Sequence, residues 1–300
     1  MKKPLVASIL VGVLVVLGLP IGPAPLRAQG EKPVPIGMAK TFFADLPPVI
    51  ISLVKAPFAD LMKTATGLKG ELHTDCDAFT LADQLDKGTM QLGVFHGHEM
   101  AWVRKKHPDI KPLLLAINKY REVSSYVIVH KDCTAKGIAD LRGKKIDLPL
   151  GTKQQCRVFL EHHCADNNQS DWRKFFGAAL HSQSIVAALD DVARKQTDAV
   201  VVDHIAFELY KYERGPVYEN KLRVLAKSEQ FPPVAIAYKE GAIQPDVLKK
   251  INDGLRKANE FEGGKDLMLL WQIEAFESVP PSFEKMLTDT NKRYPSPPAR

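Results

Sequence analysis

The chain has 300 residues, 45% of them hydrophobic and 25% charged. That balance excludes a disordered, collagen-like or disulfide-stapled miniature protein, and the length allows one large or two medium domains. The formal charge is +6, but Lys2, Lys3 and Arg27 lie in a segment expected to be removed, which leaves about +3. With no basic run and no aromatic platform interleaved with Lys or Arg, nucleic-acid binding is not expected.

Lys2 and Lys3 open the chain, and residues 5–19 are an almost unbroken apolar run. Pro20, Gly22 and Pro23 interrupt it, and Leu26-Arg27-Ala28 offers a cleavage site before Gln29. The run is shorter than the ~20 residues of a membrane-spanning helix. Residues 1–28 therefore read as a secretory signal peptide. The leader has no Cys to carry a lipid, and no later stretch is apolar enough to span a membrane. The expected product is exported and soluble.

In the rest of the chain, residues 34–39 read as a strand and 41–43 as the loop after it. Asp45 with Pro47 and Pro48 marks a helix start, because proline is tolerated in a first turn. That helix is expected to stop at Gly67. A short strand at 70–74, a helix at 80–87, a buried strand at 91–95, a helix from Gly97 to Lys105 and a strand at 113–117 follow. The pattern then restarts. Strands are expected at 125–130 and 146–150, with a helical turn at 137–141 between them. Thr152 and Gln155 have the spacing of a capping box at the next helix start. Ile185, Leu189 and Val192 give residues 182–195 a helical period. Residues 198–202 read as a strand, apolar throughout after Asp198 and ending at Asp203, followed by a helix at 204–212 and strands at 223–226 and 234–238. An amphipathic helix at 245–262 and helices at 265–273 and 282–291 complete the reading. Helices alternating with short apolar strands predict an α/β fold with mostly parallel sheets. A chain that builds one lobe, then a second, then returns would cross twice, near Ser124-Ser125 and between Ser228 and Gln230.

Four cysteines remain, Cys76, Cys133, Cys156 and Cys164. An oxidising compartment permits disulfides, but four cysteines allow three connectivities and the sequence does not choose. Inside one helix Cys156 and Cys164 would stand about 12 Å apart, beyond disulfide reach.

Two stretches carry a family resemblance. One is Tyr126-Val127-Ile128-Val129 followed by Ile138-Ala139-Asp140-Leu141-Arg142-Gly143-Lys144-Lys145-Ile146. The other is His181, Ile185-Val186-Ala187-Ala188-Leu189, Val192 and then Thr197-Asp198-Ala199-Val200-Val201-Val202-Asp203. Over residues 33–275 the chain resembles periplasmic solute-binding proteins of ABC transporters, in the phosphate, phosphite and phosphonate branch. The resemblance implies a two-lobed type II periplasmic binding protein fold, two α/β sandwiches joined by a two-crossover hinge. It divides the chain into the signal peptide 1–28, lobe one at 29–124 and 229–293, lobe two at 125–228, and a loose tail at 294–300. The implied function is capture of a small oxyanion (phosphonate, phosphite or phosphate) by hinge closure, for delivery to a membrane permease. The implied protein is a periplasmic monomer, with no cofactor and no catalytic residues.

The same resemblance selects the site. Thr152, Lys153 and Gln154 stand where the family has a Ser/Thr-rich turn around the phosphonate oxygens; here one hydroxyl is kept and a cation gained. His181 matches the family histidine, with Ser182 in place of the usual acid beside it. Asp203 either contacts a ligand or caps the helix after it. One of Phe42 and Phe43 is expected to face the cleft, and Phe43 is chosen. Phe95, His96 and His98 occupy the family's aromatic-and-glycine loop, Gly93-Val94-Phe95-His96-Gly97-His98. An alternative keeps the fold and changes the ligand to an organic cofactor precursor, a carboxylate or a metal ion held by His96, His98, His181 and His204. No nucleophile elbow, zinc-protease, P-loop or dinucleotide motif is present, and Cys156 reads as a small buried residue, so enzymatic activity is not expected.

Overall fold

A computed structural model of the chain describes residues 33–297 except 119–122, 170 and 217–219; the signal peptide expected at 1–28 lies outside the described residues. In chain order the elements are β1 (Val34–Met38), a 3-10 turn (Lys40–Phe43), α1 (Pro48–Thr66), β2 (Gly70–His73), α2 (Ala78–Asp86), β3 (Leu92–Phe95), α3 (Gly97–Lys106) and β4 (Ile110–Asn118). Then come β5 (Ser125–His130), a 3-10 turn (Ile138–Leu141), β6 (Lys145–Asp147), α4 (Gln154–Asp166), α5 (Trp172–Phe175), β7 (Ala178–Leu180), α6 (Ile185–Ala193), β8 (Ala199–Asp203), α7 (His204–Arg214) and β9 (Leu222–Lys227). The chain ends with β10 (Val234–Lys239), α8 (Pro245–Arg256), a 3-10 turn (Ala258–Glu260), α9 (Glu262–Leu270), β11 (Ile273–Ser278) and α10 (Phe283–Arg293).

The strands form two sheets, ordered β11-β4-β10-β3-β1-β2 and β7-β6-β8-β5-β9. The sheets are mixed rather than mostly parallel. β2, β1 and β3 run parallel, as do β7, β6 and β8. β10 lies antiparallel between β3 and β4, β11 antiparallel to β4, and β5 antiparallel between β8 and β9. The reason is the path of the chain. Strands joined through helices run the same way. β5 and β10 instead begin where the chain crosses between sheets, and run away from the crossing while β8 and β3 run toward it: Ser125 at the start of β5 pairs with Asp203 at the end of β8, and Ala235 near the start of β10 pairs with Phe95 at the end of β3.

Alternation along the strands divides the cores. Val127, Val129 and Val201 face one side of the second sheet, with Phe159, Trp172 and Phe175 of α4 and α5. Ile128, Val200 and Val202 face the other, against Leu189, Val192, Phe207 and Tyr210 of α6 and α7; period-two patterning is what lets a fully apolar strand serve two cores. In the first sheet, α1, α8 and α9 cover one face with Phe58, Met62, Ile251 and Leu267. Helices α2, α3 and α10 cover the other with Leu81, Met100 and Phe283.

Several boundaries differ from the sequence reading. The strand expected at 146–150 ends at Asp147, before Pro149, which cannot donate to a ladder. β7 is three residues long and α5 four, too short to show a period. β11 begins where the sequence predicts a helix end; it is an edge strand whose Glu274 and Glu277 blur its apolar face. The long helix at 245–262 breaks after Arg256 and restarts at Glu262.

The two crossings are stitched to each other. Ser228 N–H donates to the Ser125 carbonyl at 2.9 Å, and Phe231 N–H to the Val123 carbonyl at 3.1 Å. Ser125 N–H donates to the Ser228 hydroxyl at 2.8 Å, and Ser124 N–H to Nδ1 of His204 at 3.2 Å. The tail expected to be loose begins with a third tie. Tyr294 is buried at 3% exposure, its hydroxyl donates to Glu229 at 2.7 Å, and its carbonyl accepts from the Trp102 indole at 2.7 Å. Its ring stacks on Phe231 with centroids 4.8 Å apart, and burial with the Glu229 carboxylate pushes its phenol pKa up. A Tyr ring this far inside a core is anchored by packing as much as by its hydroxyl.

The return crossing also passes tightly over α3. A Cβ at Gly97 would lie 2.0 Å from the Pro232 carbonyl oxygen. Gly97→Ala must therefore push the crossing away from the helix. It should lower the unfolding free energy by about 1–3 kcal/mol, read from the urea midpoint. An unchanged midpoint would mean the approach is not a constraint.

Candidate ligand-binding site

Two cavities share Lys153 on their walls. The larger, about 240 Å³, penetrates lobe one between the first sheet and α1, α8 and α9. Its inner wall is apolar, with Phe58, Met62, Leu92, Leu255 and Met268. Its polar side chains include His96, His98, Asn118, Gln272, Lys153 and Gln155, and Lys153 and Gln155 come from the start of α4 in lobe two. If it were only a packing defect, a void of this size would cost roughly 6 kcal/mol at ~24 cal/mol per Å³. That is comparable to the whole net stability of many domains.

The smaller cavity lies at the amino end of α4. Asp45, Leu148, Thr152, Lys153, Gln154, Arg157 and His181 line it. Its volume of about 10 Å³ has room for about one water. Gly151, with φ of +79°, turns the chain so that α4 can start here. The capping box expected of Thr152 and Gln155 does not form. The helix starts one residue later, with Lys153 at the cap position and no side-chain cap bond. The Thr152 hydroxyl is instead buried without a hydrogen-bond partner among the described residues. A buried hydroxyl in that condition is costly, and a helix amino end with free N–H groups favours negative charge. Lys153 makes no ion pair among the described residues and lines both cavities.

His181 lies in the same pocket, its Nδ1 3.0 Å from the Leu148 carbonyl. A carbonyl only accepts, so Nδ1 carries the hydrogen. Nε2 then accepts when the ring is neutral and donates only when it is protonated. Behind it, Ser182 donates its N–H to Asp147 at 3.1 Å and its hydroxyl to the other carboxylate oxygen. Asp147 is fully buried at the end of β6 and fixes this turn.

The expected lobe-one residues divide. His96 and His98 line the large cavity. Their rings stack at 5.5 Å, and Phe42 stacks on His96 at 3.7 Å. The Nε2 atom of His96 is buried without a partner among the described residues. Burial lowers the His96 pKa to about 3 against a raising bond from the Thr41 backbone, and burial with the neighbouring His96 lowers that of His98. Both rings are therefore neutral. Phe43 and Phe95, chosen from the sequence, do not face the cavity. Phe43 is 5% exposed in the core under α1, and Phe95 is fully buried in the opposite core. In a 3-10 turn neighbouring side chains diverge by about 120°, so Phe42 rather than Phe43 reaches the cavity. Strand alternation sends Val94 to the cavity and Phe95 away from it.

Asp203 lines neither cavity. It caps α7, its Oδ1 accepting from Ile205 N–H at 3.1 Å and Ala206 N–H at 3.2 Å. His204 opens α7, where its Nδ1 accepts from Ser124 N–H, and lines neither cavity, so the four histidines considered as metal ligands do not converge. No group of three or more His, Cys, Asp or Glu side chains among the described residues is arranged to hold a metal. The four cysteines are free; Cys156 and Cys164 both lie inside α4 and are buried, which pushes their thiol pKa values up.

Asp45, Gln155 and the apolar chamber escape the sequence reading. The spacing of Gln155 from Thr152 points to a capping box, and the chamber depends on Met268, Trp271 and Ile273, which the sequence places on one helix. The signal available is the pair Phe42-Phe43 itself, two large rings on a turn that can bury only one.

The family described as ABC transporter, phosphonate, periplasmic substrate-binding protein matches residues 42–282. A comparison with curated proteins gives no significant match. Among solved structures, a Xanthomonas citri protein bound to chloride ion has a TM-score of 0.61 at 13% identity, covering 87% of this chain and 96% of that one. A binding-protein component of an ABC phosphonate transporter from Pseudomonas aeruginosa has a TM-score of 0.57 at 16% identity, covering 87% and 86%. PhnD1 from Prochlorococcus marinus, in complex with methylphosphonate, has a TM-score of 0.56 at 12% identity, covering 88% and 98%. At these identities the likeness establishes the fold, that of type II periplasmic binding proteins.

Next to His96, one buried carboxyl titrates in a defined direction. Burial pushes Glu99 up to about 7, against lowering hydrogen bonds from Thr41 (2.7 Å) and from the His96 N–H (3.1 Å). The folded chain keeps this proton from pH 4.5 to about 7 while an unfolded glutamate has lost it, so stability falls as pH rises through that window. His96 acts oppositely, since an unfolded histidine protonates below about 6.5 and the folded ring does not. Glu99→Gln removes the first slope alone. Its stability relative to the parent should rise by up to roughly 3 kcal/mol between pH 4.5 and 7.5. A difference that stays constant with pH would contradict the buried, protonated Glu99.

Proposed function

We propose that this chain, which belongs to the family of periplasmic substrate-binding proteins of phosphonate ABC transporters, captures a small phosphorus oxyanion between its two lobes and presents it to a membrane permease. One observation carries the reading: the buried Thr152 hydroxyl, without a partner among the described residues, beside Lys153 at the amino end of α4. A phosphonate, phosphite or phosphate oxygen would satisfy that hydroxyl, the free helix N–H groups and the lysine together. Gln154 and His181 would complete the seat, which Asp45 borders from lobe one, and His96 and His98 would meet the ligand in the adjoining chamber. Asp203 acts in this reading as a helix cap that stiffens lobe two.

Closure supplies the selectivity. The seat has room for about one water, so an oxyanion enters only when the lobes part, and contacts to both lobes exist only when they meet again. The stitched crossings at Ser125 and Ser228 are the hinge of this motion. The protein is proposed to work as a monomer in the periplasm, exported by residues 1–28, with no cofactor and no turnover of its ligand.

The test is a thermal-shift panel on ligand-stripped protein with phosphate, phosphite, methylphosphonate, 2-aminoethylphosphonate, sulfate and acetate. A phosphorus oxyanion at 100 times its Kd should stabilise the fold by about 2.7 kcal/mol. Lys153→Ala and Thr152→Val should each weaken that ligand at least about tenfold, or ~1.4 kcal/mol, without lowering the melting temperature of the unliganded protein. Stabilisation by none of the phosphorus compounds would overturn the reading.

A further inference from the structure

The seat at α4 leaves the adjoining lobe-one chamber unexplained. A bare phosphate or methylphosphonate fills a few tens of Å³ at most, whereas the chamber in lobe one holds about 240 Å³. Its inner end offers only hydrocarbon and thioether surface, from Phe58, Leu61, Met62, Leu92, Leu267 and Met268. Lys153 is the one charged side chain on its wall among the described residues, and both histidines there are held neutral by burial. An anion has nothing to pair with in the depth of the chamber, so its deep part suits an apolar group.

Lys153 joins the two spaces. It lines the oxyanion seat with Thr152 and His181, and it lines the chamber with Gln155 and His96. The chamber's other polar groups include His98 after β3, Asn118 at the end of β4 and Gln155 on α4. A molecule with its anionic end at α4 would pass Lys153 and reach the apolar depth of lobe one without burying an unpaired charge. Phe42, stacked flat on His96 at 3.7 Å, offers a ring face along that path.

We propose that the ligand is an organophosphonate or phosphate monoester bearing a sizeable apolar substituent, with its phosphorus oxyanion at α4 and its hydrocarbon or aryl body in the lobe-one chamber. This inference rests on the oxyanion reading and specifies the rest of the molecule. The chamber then acts as the specificity pocket, and burial of the substituent adds affinity that a free oxyanion cannot gain.

The experiment is calorimetric titration of ligand-stripped protein with phosphate, methylphosphonate, butylphosphonate, octylphosphonate, phenylphosphonate and octanoate. Affinity should rise from methyl- to butylphosphonate by about fourfold per buried methylene, and phenylphosphonate should bind well above methylphosphonate. Octanoate, which has the tail without the phosphorus group, should bind more weakly than octylphosphonate. Filling the chamber with Ala116→Phe should collapse the ratio of octyl- to methylphosphonate affinity toward one. Ala116→Leu provides the milder filling should the larger ring prevent folding, which circular dichroism would reveal. Affinities that stay flat or fall with substituent size, while methylphosphonate binds, overturn this inference and leave the oxyanion reading standing. Failure of every phosphorus compound to bind overturns both.

Discussion

The paired crossing of the chain is the constraint on which the rest of this architecture depends. Hydrogen bonds between Ser125 and Ser228 and between Val123 and Phe231 hold the two connections side by side. They set the ends of β3 and β8 at the crossing, and the starts of β5 and β10 with them. The mixed order of both sheets follows from this one fact. So does the position of the cleft, since ligands in open α/β sheets bind beyond the carboxyl ends of parallel strands. Tyr294 adds a third tie by stacking on Phe231, so the C-terminal helix belongs to the same junction.

Around that junction the molecule separates its chemistry by lobe. Lobe two contributes a helix amino end, an unpartnered hydroxyl and a lysine at α4. Lobe one contributes neutral rings and a deep apolar chamber, with burial raising the Glu99 carboxyl beside His96 to about 7. Charge on one side and hydrocarbon on the other is a poor design for a bare anion held symmetrically. It is a coherent design for a ligand with two unlike ends. Membership of the phosphonate-binding family bears on the first end. The chamber is the observation that bears on the second.

The architecture is largely legible in the sequence because most of its elements carry strong local signals. The strand β8 needs no context: Val200, Val201 and Val202 are apolar on both faces because both faces are covered. Pro48 and Gly67 bracket α1 as expected. The losses fall at short or edge elements such as β7 and β11, where a few residues give no clean period to read. Site residues are less legible for a geometric reason. Phe42 and Phe43 are chemically identical, and only the turn between β1 and α1 decides which faces the cavity. Phe95 and Val94 differ by one step of strand alternation. Thr152 has the spacing of a cap, and the shift of α4 by one residue leaves its hydroxyl unpartnered instead. The apolar chamber combines β1, β3, β4, β10, α1, α8 and α9, and no local pattern reveals a space between elements so far apart in the chain.

One ligand is proposed to span the amino end of α4 and the chamber of lobe one. A crystal structure of the protein with octylphosphonate is the decisive measurement. Phosphonate oxygens are expected within hydrogen-bond distance of the Thr152 hydroxyl and the Lys153 ammonium, with the alkyl chain running past His96 to Met62 and Leu267. A phosphonate seated elsewhere, or an alkyl chain lying in solvent outside lobe one, would contradict it.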